Sequence, residues 1–282
     1  MSKKILAHYT NGNDLLDSIH SGLKSSGKSL HSITTVDLAA VDEFHIRGRK
    51  ATLELAEAMD LTSDSLVLDI GCGIGGPART VAETYGSRVI GIDLSQTFCS
   101  TAEELAAWTS LNHLVAFRQS DASELPFEDS YFNAAFTIHV GMNIADKSKM
   151  YTEAHRVLMP GGIFAIYDVL KGDGGDVYFP VPWAPDESVS FLATPDEMRQ
   201  LLTEAGFRII DEKDSSQEGY EWFVSALRRI EESGLPPLSL RTLLGEEFPV
   251  MMKNIARSLE EQRALVRTFI CQSQAHQDLL PS

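Results

Sequence analysis

Residues 67–76 read Val67-Leu68-Asp69-Ile70-Gly71-Cys72-Gly73-Ile74-Gly75-Gly76. The apolar start predicts a short buried strand, and the glycines after it predict a tight turn that leads into a helix. Glycines at such a turn let the backbone approach a bound molecule, since no Cβ atom stands in the way. The helix that follows presents free N–H groups to polar or anionic ligand atoms. The segment therefore predicts a strand, a ligand-binding loop and a helix.

The glycine spacing alone leaves more than one interpretation open. Gly71-x-Gly73-x-x-Gly76 satisfies the dinucleotide fingerprint, which is typical of nicotinamide-dependent oxidoreductases. A glycine turn can also serve only to pack a helix on a strand. The choice depends on the residues that follow the neighbouring strands.

Acidic residues follow the next two predicted strands. Asp93 lies 22 positions beyond Gly71, where a carboxylate can accept hydrogen bonds from the two hydroxyls of a ribose. Asp121, followed by Ala122, can accept a hydrogen bond from an adenine amino group. Asp69, two residues before the first glycine, is a feature that nicotinamide enzymes rarely show. Together these positions favour an adenosine-containing cofactor other than a nicotinamide dinucleotide.

Short apolar segments alternate with helical segments around the glycine loop. The predicted strands are Leu66–Ile70, Arg88–Ile92, Val115–Arg118, Phe132–Ile138, Ile163–Val169 and Phe207–Asp211. The predicted helices are Pro77–Tyr85, Thr97–Ser110, Lys147–Leu158 and Pro195–Ala205, and helical spacing also runs from Asp42 to Asp60. This alternation predicts an α/β fold, a parallel sheet with helices on both faces. The run Leu265–Cys271 is predicted to return to the sheet as an edge or near-edge strand, after a mostly helical insertion that caps the sheet.

Composition restricts the classes of partner. The chain has 282 residues, 40 acidic and 24 basic side chains, and a net charge of −16 at pH 7. This charge argues against a nucleic acid as the main partner, because phosphate binding needs clustered Lys and Arg. No apolar run approaches the ~20 residues that span a bilayer, and the three scattered cysteines form no disulfide framework. The histidines show no metal-ligand spacing, so no metal site is predicted. From the whole composition, the chain is predicted to be a cytoplasmic enzyme without stable membrane insertion.

Taken together, the motifs resemble the class I S-adenosylmethionine-dependent methyltransferases. The matching pieces, in the family's order over about residues 42–211, are Asp69-x-Gly71-x-Gly73-x-Gly75, Asp93, Asp121-Ala122, Leu125-Pro126-Phe127, Phe132-Asn133-Ala134-Ala135-Phe136 and Leu158-Met159-Pro160-Gly161-Gly162. Within the family the chain is similar to the small-molecule branch, which includes the ubiquinone/menaquinone, tocopherol, phosphoethanolamine and sarcosine/dimethylglycine methyltransferases. The resemblance implies a Rossmann-like, seven-stranded, mostly parallel sheet with a reversed final strand, and S-adenosyl-L-methionine as the cofactor.

The resemblance also assigns residues to the cofactor. By position, Gly71, Cys72 and Gly73 are expected on its methionine side, Asp93 on the ribose, Leu94 packed on the adenine, and Asp121 and Ala122 at the adenine edge. The segment Phe44–Arg49 is expected to close over the methionine moiety, where Arg47 or Arg49 can pair with the carboxylate in a planar, bidentate geometry. The alternative for Arg47 is a place on a solvated helix face.

Candidate residues for the acceptor follow the fourth and fifth strands. His139 stands at the end of the fourth strand, where it can take a proton from the acceptor or contact the cofactor. The alternative is that His139 only hydrogen-bonds the cofactor or a loop carbonyl. The family's His-x-x-Asp after this strand is Asn143-Ile144-Ala145-Asp146 here. Asn143 and the rings of Tyr178, Phe179 and Trp183 are expected at the substrate, although aromatic rings in such a segment also serve simple packing.

The predicted function is methyl transfer to nitrogen, oxygen or activated carbon of a small molecule, which yields S-adenosylhomocysteine. The alternatives are a nicotinamide-dependent oxidoreductase and a non-catalytic module that senses the cofactor. We expect an N-terminal arm or lid at 1–41, a cofactor-binding core at 42–214, a helical insertion at 215–262, and the final strand and tail at 263–282. The arm and the insertion are candidates for a homodimer interface or for a lid.

Overall fold

A seven-stranded sheet forms the centre of the fold, and the computed structural model describes residues 15–275 of the chain. The strand order is β3-β2-β1-β4-β5-β7-β6. The strands are β1 Leu66–Ile70, β2 Arg88–Asp93, β3 Val115–Gln119, β4 Phe132–Ile138, β5 Leu158–Lys171, β6 Phe207–Asp214 and β7 Ala264–Ser273. Strands β1 to β5 pair in parallel, and β7 runs antiparallel between β5 and β6. The predicted Rossmann-like sheet with a reversed, near-edge final strand is confirmed.

Helices cover both faces of this sheet. They are α1 Leu15–Ser25, α2 Thr35–Asp42, α3 Arg49–Glu57, α4 Gly76–Tyr85, α5 Gln96–Trp108, α6 Lys147–Val157, α7 Pro195–Glu204, α8 Ser216–Ser233, α9 Arg241–Leu244 and α10 Phe248–Glu260. Side chains of a strand alternate between the two faces. Accordingly, Val67 packs into one apolar cluster, with α2 to α5 and the helices after β6, while Leu68 and Ile70 pack into a second cluster with α6 and α7.

The predicted helix from Asp42 to Asp60 is wrong in its first part, because residues 43–48 form a turn and helix α3 covers only Arg49–Glu57. Helix α2 ends at Asp42, and α3 begins at Arg49. Immediately before α3, Arg47 and Gly48 have φ of +69° and +50°, a backbone conformation outside the right-handed helical region. The turn 43–48 is therefore free to face the carboxyl edge of the sheet.

The predicted turn at Met159–Gly162 is also different in the structure. These residues belong to β5, whose register against β4 shifts between the pairs Phe132–Leu158 and Ala134–Ile163. The extra residues form a β-bulge, so the strand begins earlier than the Pro-Gly-Gly sequence predicts.

The helices between β6 and β7 lie against the same face as α2 and α3. Helices α8 and α10 contact each other and β7, and Phe223, Phe248 and Ile255 are buried in the first cluster. This is the segment that the sequence predicted as a cap.

Of the predicted N-terminal arm, residues 1–14 lie outside the described part of the chain. No helix within residues 15–275 is long and apolar enough to cross a membrane.

Candidate active site

One cavity, about 220 Å³ in volume, lies at the carboxyl ends of β1 to β4. This is the edge where open α/β sheets bind their ligands. One half is lined by the glycine loop, the segments after β2 and β3, and the residues after β4: Gly71, Cys72, Gly73, Ile74, Asp93, Leu94, Ser95, Asp121, Ala122, His139 and Val140. The other half is lined mainly by apolar side chains. The cavity thus joins two chemically different compartments.

The glycine loop turns sharply at Gly71. The N–H groups of Gly71 and Cys72 both donate to the carbonyl of Ile92, at 2.8 and 2.9 Å, which ties the loop to the end of β2. Gly71 and Gly73 have φ of +80° and +54°. A Cβ atom on Gly73 would meet no other atom within 4 Å, so its backbone is open to the cavity and leaves room for a bound molecule.

Asp93 is held in place by backbone N–H groups. Gly73 donates to Oδ2 at 3.0 Å and Ser95 donates to Oδ1 at 2.8 Å. Burial raises the pKa of Asp93, and these backbone hydrogen bonds partly oppose that shift. Each oxygen keeps a lone pair for another donor, which suits the two adjacent hydroxyls of a ribose. At the next strand end, Asp121 accepts from the N–H and the hydroxyl of Ser123 at 2.9 and 2.7 Å. The residues present therefore fit an adenosine group.

His139 lines the cavity and adopts an unusual backbone conformation, with φ of +53°. Its N–H donates to the carbonyl of Tyr167 at 2.8 Å, and its ring stacks on the Tyr167 ring, with the centroids 5.2 Å apart. Its Nε2 is buried and has no hydrogen-bond partner among the described residues. Burial, together with the nearby His45 ring, holds the pKa of His139 well below its usual value, so the ring is neutral at pH 7. A catalytic role for His139 stays a prediction.

Two predicted substrate residues lie in the cavity wall. Asn143 and Trp183 both line it. The Asn143 amide donates to the carbonyls of Trp183 and Val189, each at 2.9 Å, so Asn143 fixes the loop that carries the indole. The indole N–H in turn donates to the Ser190 hydroxyl at 2.9 Å. Trp183 is thereby presented to the cavity as a rigid apolar surface.

Two other predicted substrate residues lie elsewhere. The Tyr178 hydroxyl donates to Glu261 at 2.8 Å. The guanidinium carbons of Arg257 and Arg263 lie over its ring, at 4.0 and 4.4 Å from the ring centroid. Phe179 packs against the core cluster and does not line the cavity. These rings stabilise the segment behind Trp183, and we leave them out of the site.

Arg47, predicted to pair with a cofactor carboxylate, is occupied by protein carboxylates. Its Nη2 donates to both oxygens of Glu54, at 2.6 and 2.7 Å, and its Nη1 lies 3.4 Å from Glu218. It does not line the cavity. We therefore do not assign Arg47 to the cofactor. The same turn instead brings Phe44, His45 and Ile46 to the cavity.

The apolar half of the cavity has a roof built by the insertion, which the sequence located as a segment but not by residue. The roof residues are Trp222, Phe223, Leu240, Leu243, Leu244, Phe248, Met252 and Ile255. Helical spacing would have indicated several of them, but core packing gives the same pattern. Among the described residues that line the cavity, none is Lys or Arg. The apolar half therefore offers no cation to a negatively charged ligand.

Comparison with known proteins gives matches over most of the chain. Residues 68–166 match the family described as a methyltransferase domain. The methyltransferase GfsG of Streptomyces halstedii is 28% identical over 220 residues, which are 77% of each protein. Sterol 24-C-methyltransferase erg6 of Aspergillus fumigatus is 34% identical over 122 residues, 43% of this chain and 32% of that enzyme. The chain thus spans about a third of the sterol enzyme's length.

A solved structure shares the whole fold. The [4+2]-cyclase SpnF superposes with a TM-score of 0.70 over 98% of this chain and 97% of its own, at 22% sequence identity. At this identity the likeness shows a common fold. The family match and the curated relatives confirm the resemblance that the motifs from Asp69 to Gly162 predicted.

Proposed function

Because the chain is a class I S-adenosylmethionine-dependent methyltransferase, we propose that it transfers a methyl group to an uncharged, largely apolar small molecule. One observation carries the proposal. A single cavity joins the adenosine-binding edge, from Gly71 to Asp121, to an apolar half whose described lining contains no Lys or Arg. The products are the methylated acceptor and S-adenosylhomocysteine.

The cofactor half would hold S-adenosylmethionine through backbone and carboxylate groups. Gly71 and Gly73 would border its methionine part, Asp93 would accept from the ribose hydroxyls, and Asp121 and Ala122 would border the adenine. Once bound, the cofactor supplies an electrophilic methyl group on a sulfonium. The protein needs no covalent nucleophile for this transfer, so its contribution is alignment and the exclusion of water.

The apolar half supports a neutral acceptor. Removing an ionised phosphate or carboxylate from water without a partner cation costs several kcal/mol. Apolar surface buried against the roof instead stabilises the complex by about 25 cal/mol per Å². A neutral acceptor is therefore expected to bind at least ~100-fold more tightly than an otherwise identical anion, since ~2.7 kcal/mol corresponds to that factor.

The cofactor is tested by thermal unfolding with S-adenosylhomocysteine, NAD and NADP in parallel. At ~100 times the dissociation constant, a ligand that binds only the folded state adds about 2.7 kcal/mol to its stability. For a chain of this size that is roughly 5–10 °C in Tm. We expect a shift with S-adenosylhomocysteine alone, and loss of that shift in Asp93→Asn. A shift with a dinucleotide alone would show the oxidoreductase interpretation to be correct instead.

The acceptor class is tested by transfer of a radiolabelled methyl group to matched probe pairs. Each pair shares an apolar body and a hydroxyl, and one member carries an added carboxylate. We expect kcat/KM to be at least ~100-fold higher for the neutral member. Equal values would refute the neutral-acceptor proposal, and cofactor binding without turnover of any probe would favour the sensing module.

We further propose that the enzyme acts in the cytoplasm. The three cysteines are unpaired and buried thiols, which fits a reducing compartment. Fractionation of expressing cells, with the protein followed by antibody, tests the location. The predicted homodimer is tested separately by sedimentation equilibrium, where a mass of one chain would exclude it.

A further inference from the structure

His45 lies beside His139 in the cavity wall, in the turn between α2 and α3. Its side chain is only 2% exposed. The Nε2 atom lies 3.0 Å from the carbonyl of Gly48, 3.1 Å from the Thr52 hydroxyl and 3.6 Å from Oε2 of Glu43. The polar groups that contact the ring, from Gly48, Thr52 and Glu43, therefore all lie near Nε2.

The hydrogen bonds around Nε2 decide which nitrogen carries the proton. The Thr52 hydroxyl donates its hydrogen to Glu43 Oε2 at 2.6 Å, so toward His45 the same oxygen can only accept. The Gly48 carbonyl also can only accept. Nε2 must therefore be the protonated nitrogen of a neutral His45 ring. Nδ1 then carries a free lone pair on the side of the ring away from these partners.

Both oxygens of Glu43 accept hydrogen bonds from threonine hydroxyls, which favours its carboxylate form. The Thr80 hydroxyl donates to Oε1 at 2.6 Å, and Arg49 donates to the Thr80 oxygen at 2.6 Å. Burial raises the pKa of Glu43, while the Thr52 and Thr80 hydroxyls and the charges of Arg49 and Arg79 oppose that shift. A carboxylate beside Nε2–H fixes the tautomer of an imidazole and stabilises the imidazolium that forms when the other nitrogen gains a proton.

His139 lacks such an arrangement. Its Nε2 is buried without a hydrogen-bond partner among the described residues, so no contact selects its tautomer. The two rings face each other edge to face, with centroids 6.0 Å apart, and both contact the ring of Tyr167. Of the two histidines, His45 alone has its proton placed by neighbours, among the residues the structure describes.

We propose that His45 is the general base of the reaction and that Glu43 and Thr52 are the positioning residues that keep Nδ1 unprotonated. The inference rests on the proposed methyl transfer and applies to an acceptor that must lose a proton. The acceptor oxygen uses a lone pair to form the bond to the methyl carbon. The carbon–sulfur bond breaks and its electron pair stays on sulfur, while the hydroxyl proton passes to Nδ1 and then to solvent.

A weakly basic imidazole is sufficient for this step. Burial lowers the pKa of His45 to about 4, with the hydrogen bond to Gly48 opposing the shift, so the ring is neutral and ready to accept a proton at pH 7. The titratable groups that face it are Glu43, His139 and Tyr167. An alcohol or phenol oxygen becomes a strong acid as it gains the methyl group, so proton transfer to His45 is favourable at that moment.

The test is His45→Gln, which keeps an N–H donor where Nε2 stands and removes the basic nitrogen. The probes are para-butylphenol, which must lose a proton, and N,N-dimethyl-para-butylaniline, which has no proton to lose on methylation. We expect kcat on the phenol to fall by about 10²–10⁴. On the aniline we expect a change below about threefold, because no proton transfer contributes to that rate. The matched control is His155→Gln, a buried histidine outside the cavity.

Equal losses on both probes would mean that His45 is structural, and no loss on the phenol would mean that another group is the base. Either result would overturn the inference. If wild-type protein binds S-adenosylhomocysteine but methylates neither probe, the proposed acceptor class is wrong. The inference about His45 is then tested by measuring which of its ring nitrogens carries the proton. Long-range ¹H–¹⁵N spectra of histidine-labelled protein at pH 7 should show a protonated Nε2 and a bare Nδ1 at His45. A protonated Nδ1 would refute the assignment.

Discussion

At the residue scale, Gly71 is constrained by its own backbone and by a neighbouring side chain. Its φ is +80°, and a Cβ atom there would lie 2.3 Å from Val140. Gly161 has nearly the same φ, +81°, but its Cβ would meet no atom within 4 Å. Comparing alanine substitutions at Gly71 and Gly161 therefore distinguishes the cost of the left-handed backbone from the cost of overlap with Val140.

We predict that Gly71→Ala lowers the free energy of unfolding more than Gly161→Ala. The shared left-handed backbone should cost about 1–2 kcal/mol in each variant, and the overlap with Val140 should add roughly 1–3 kcal/mol at Gly71. Urea unfolding of both variants measures the difference. Adding Val140→Ala to Gly71→Ala should recover part of the loss. Equal losses in the two single variants would contradict the argument.

Some residues that the sequence predicted for the site line the cavity, and others do not. Asp93 and Asp121 were predicted because each directly follows a strand, and strand ends meet at one edge of a parallel sheet. Arg47 was assigned to the cofactor because its chemistry suits a carboxylate. Its side chain in fact pairs with Glu54 and Glu218, of which Glu218 is distant in sequence. The partner of a flexible cation depends on the tertiary structure.

At the element scale, a buried ion pair joins helix α2 to helix α4. Arg79 Nη2 donates to Asp42 Oδ2 at 2.5 Å, and the two side chains are 0% and 2% exposed. Arg79 also donates to the carbonyls of Ile74 and Ala102, at 2.9 and 3.2 Å. The guanidinium therefore connects the helix that precedes the His45 turn with the helix that follows the glycine loop.

We predict that Arg79→Met destabilises the fold by about 3–5 kcal/mol, because it leaves the Asp42 carboxylate buried without its partner. The matched control is Arg241→Met, which removes the exposed pair with Glu246 and should cost no more than about 1 kcal/mol. Urea unfolding monitored by circular dichroism gives both values. A loss below about 1 kcal/mol for Arg79→Met would show that Asp42 needs no cation.

Elements with a clear pattern were predicted well. Strands β1 and β4 have the predicted bounds, because their apolar runs end at turn residues. The helix from Asp42 to Asp60 was predicted as continuous from the helical spacing of Leu53, Leu55, Ala56 and Met59, which all lie after the break at Arg47 and Gly48. That break arises because buried contacts of Glu43 and His45 hold the turn in a non-helical conformation.

At the scale of the whole molecule, buried carboxyl groups link stability to pH. Burial raises the pKa of Asp168 from its ordinary 3.8 to about 7, with the charge of Lys147 and backbone N–H groups opposing the shift. The folded state therefore binds this proton more tightly than the unfolded state. The resulting stabilisation is complete below pH 3.8 and is lost as the pH rises through about 7.

We predict that Asp168→Asn flattens the pH dependence of unfolding between pH 4 and 7. In wild-type protein the Asp168 contribution should decrease over this interval, and in the variant that contribution should be absent. Urea unfolding at a series of pH values measures the two slopes. The control is Asp129→Asn, at a side chain 74% exposed, which should keep the wild-type slope. An unchanged slope in Asp168→Asn would contradict the linkage.

The sequence by itself determined the sheet, its glycine turn and the family, because these depend on local patterns. A strand, a glycine turn and an acidic residue at a strand end each lie within a few residues, and the parallel sheet aligns them without further information. Only the tertiary structure decided which residues form the apolar roof, which carboxylates pair with Arg47, and which tautomer His45 adopts. Each depends on groups far apart in the chain, such as Glu43 with Thr80 and Arg47 with Glu218, whose contacts are set by packing and by the need to satisfy buried polar atoms.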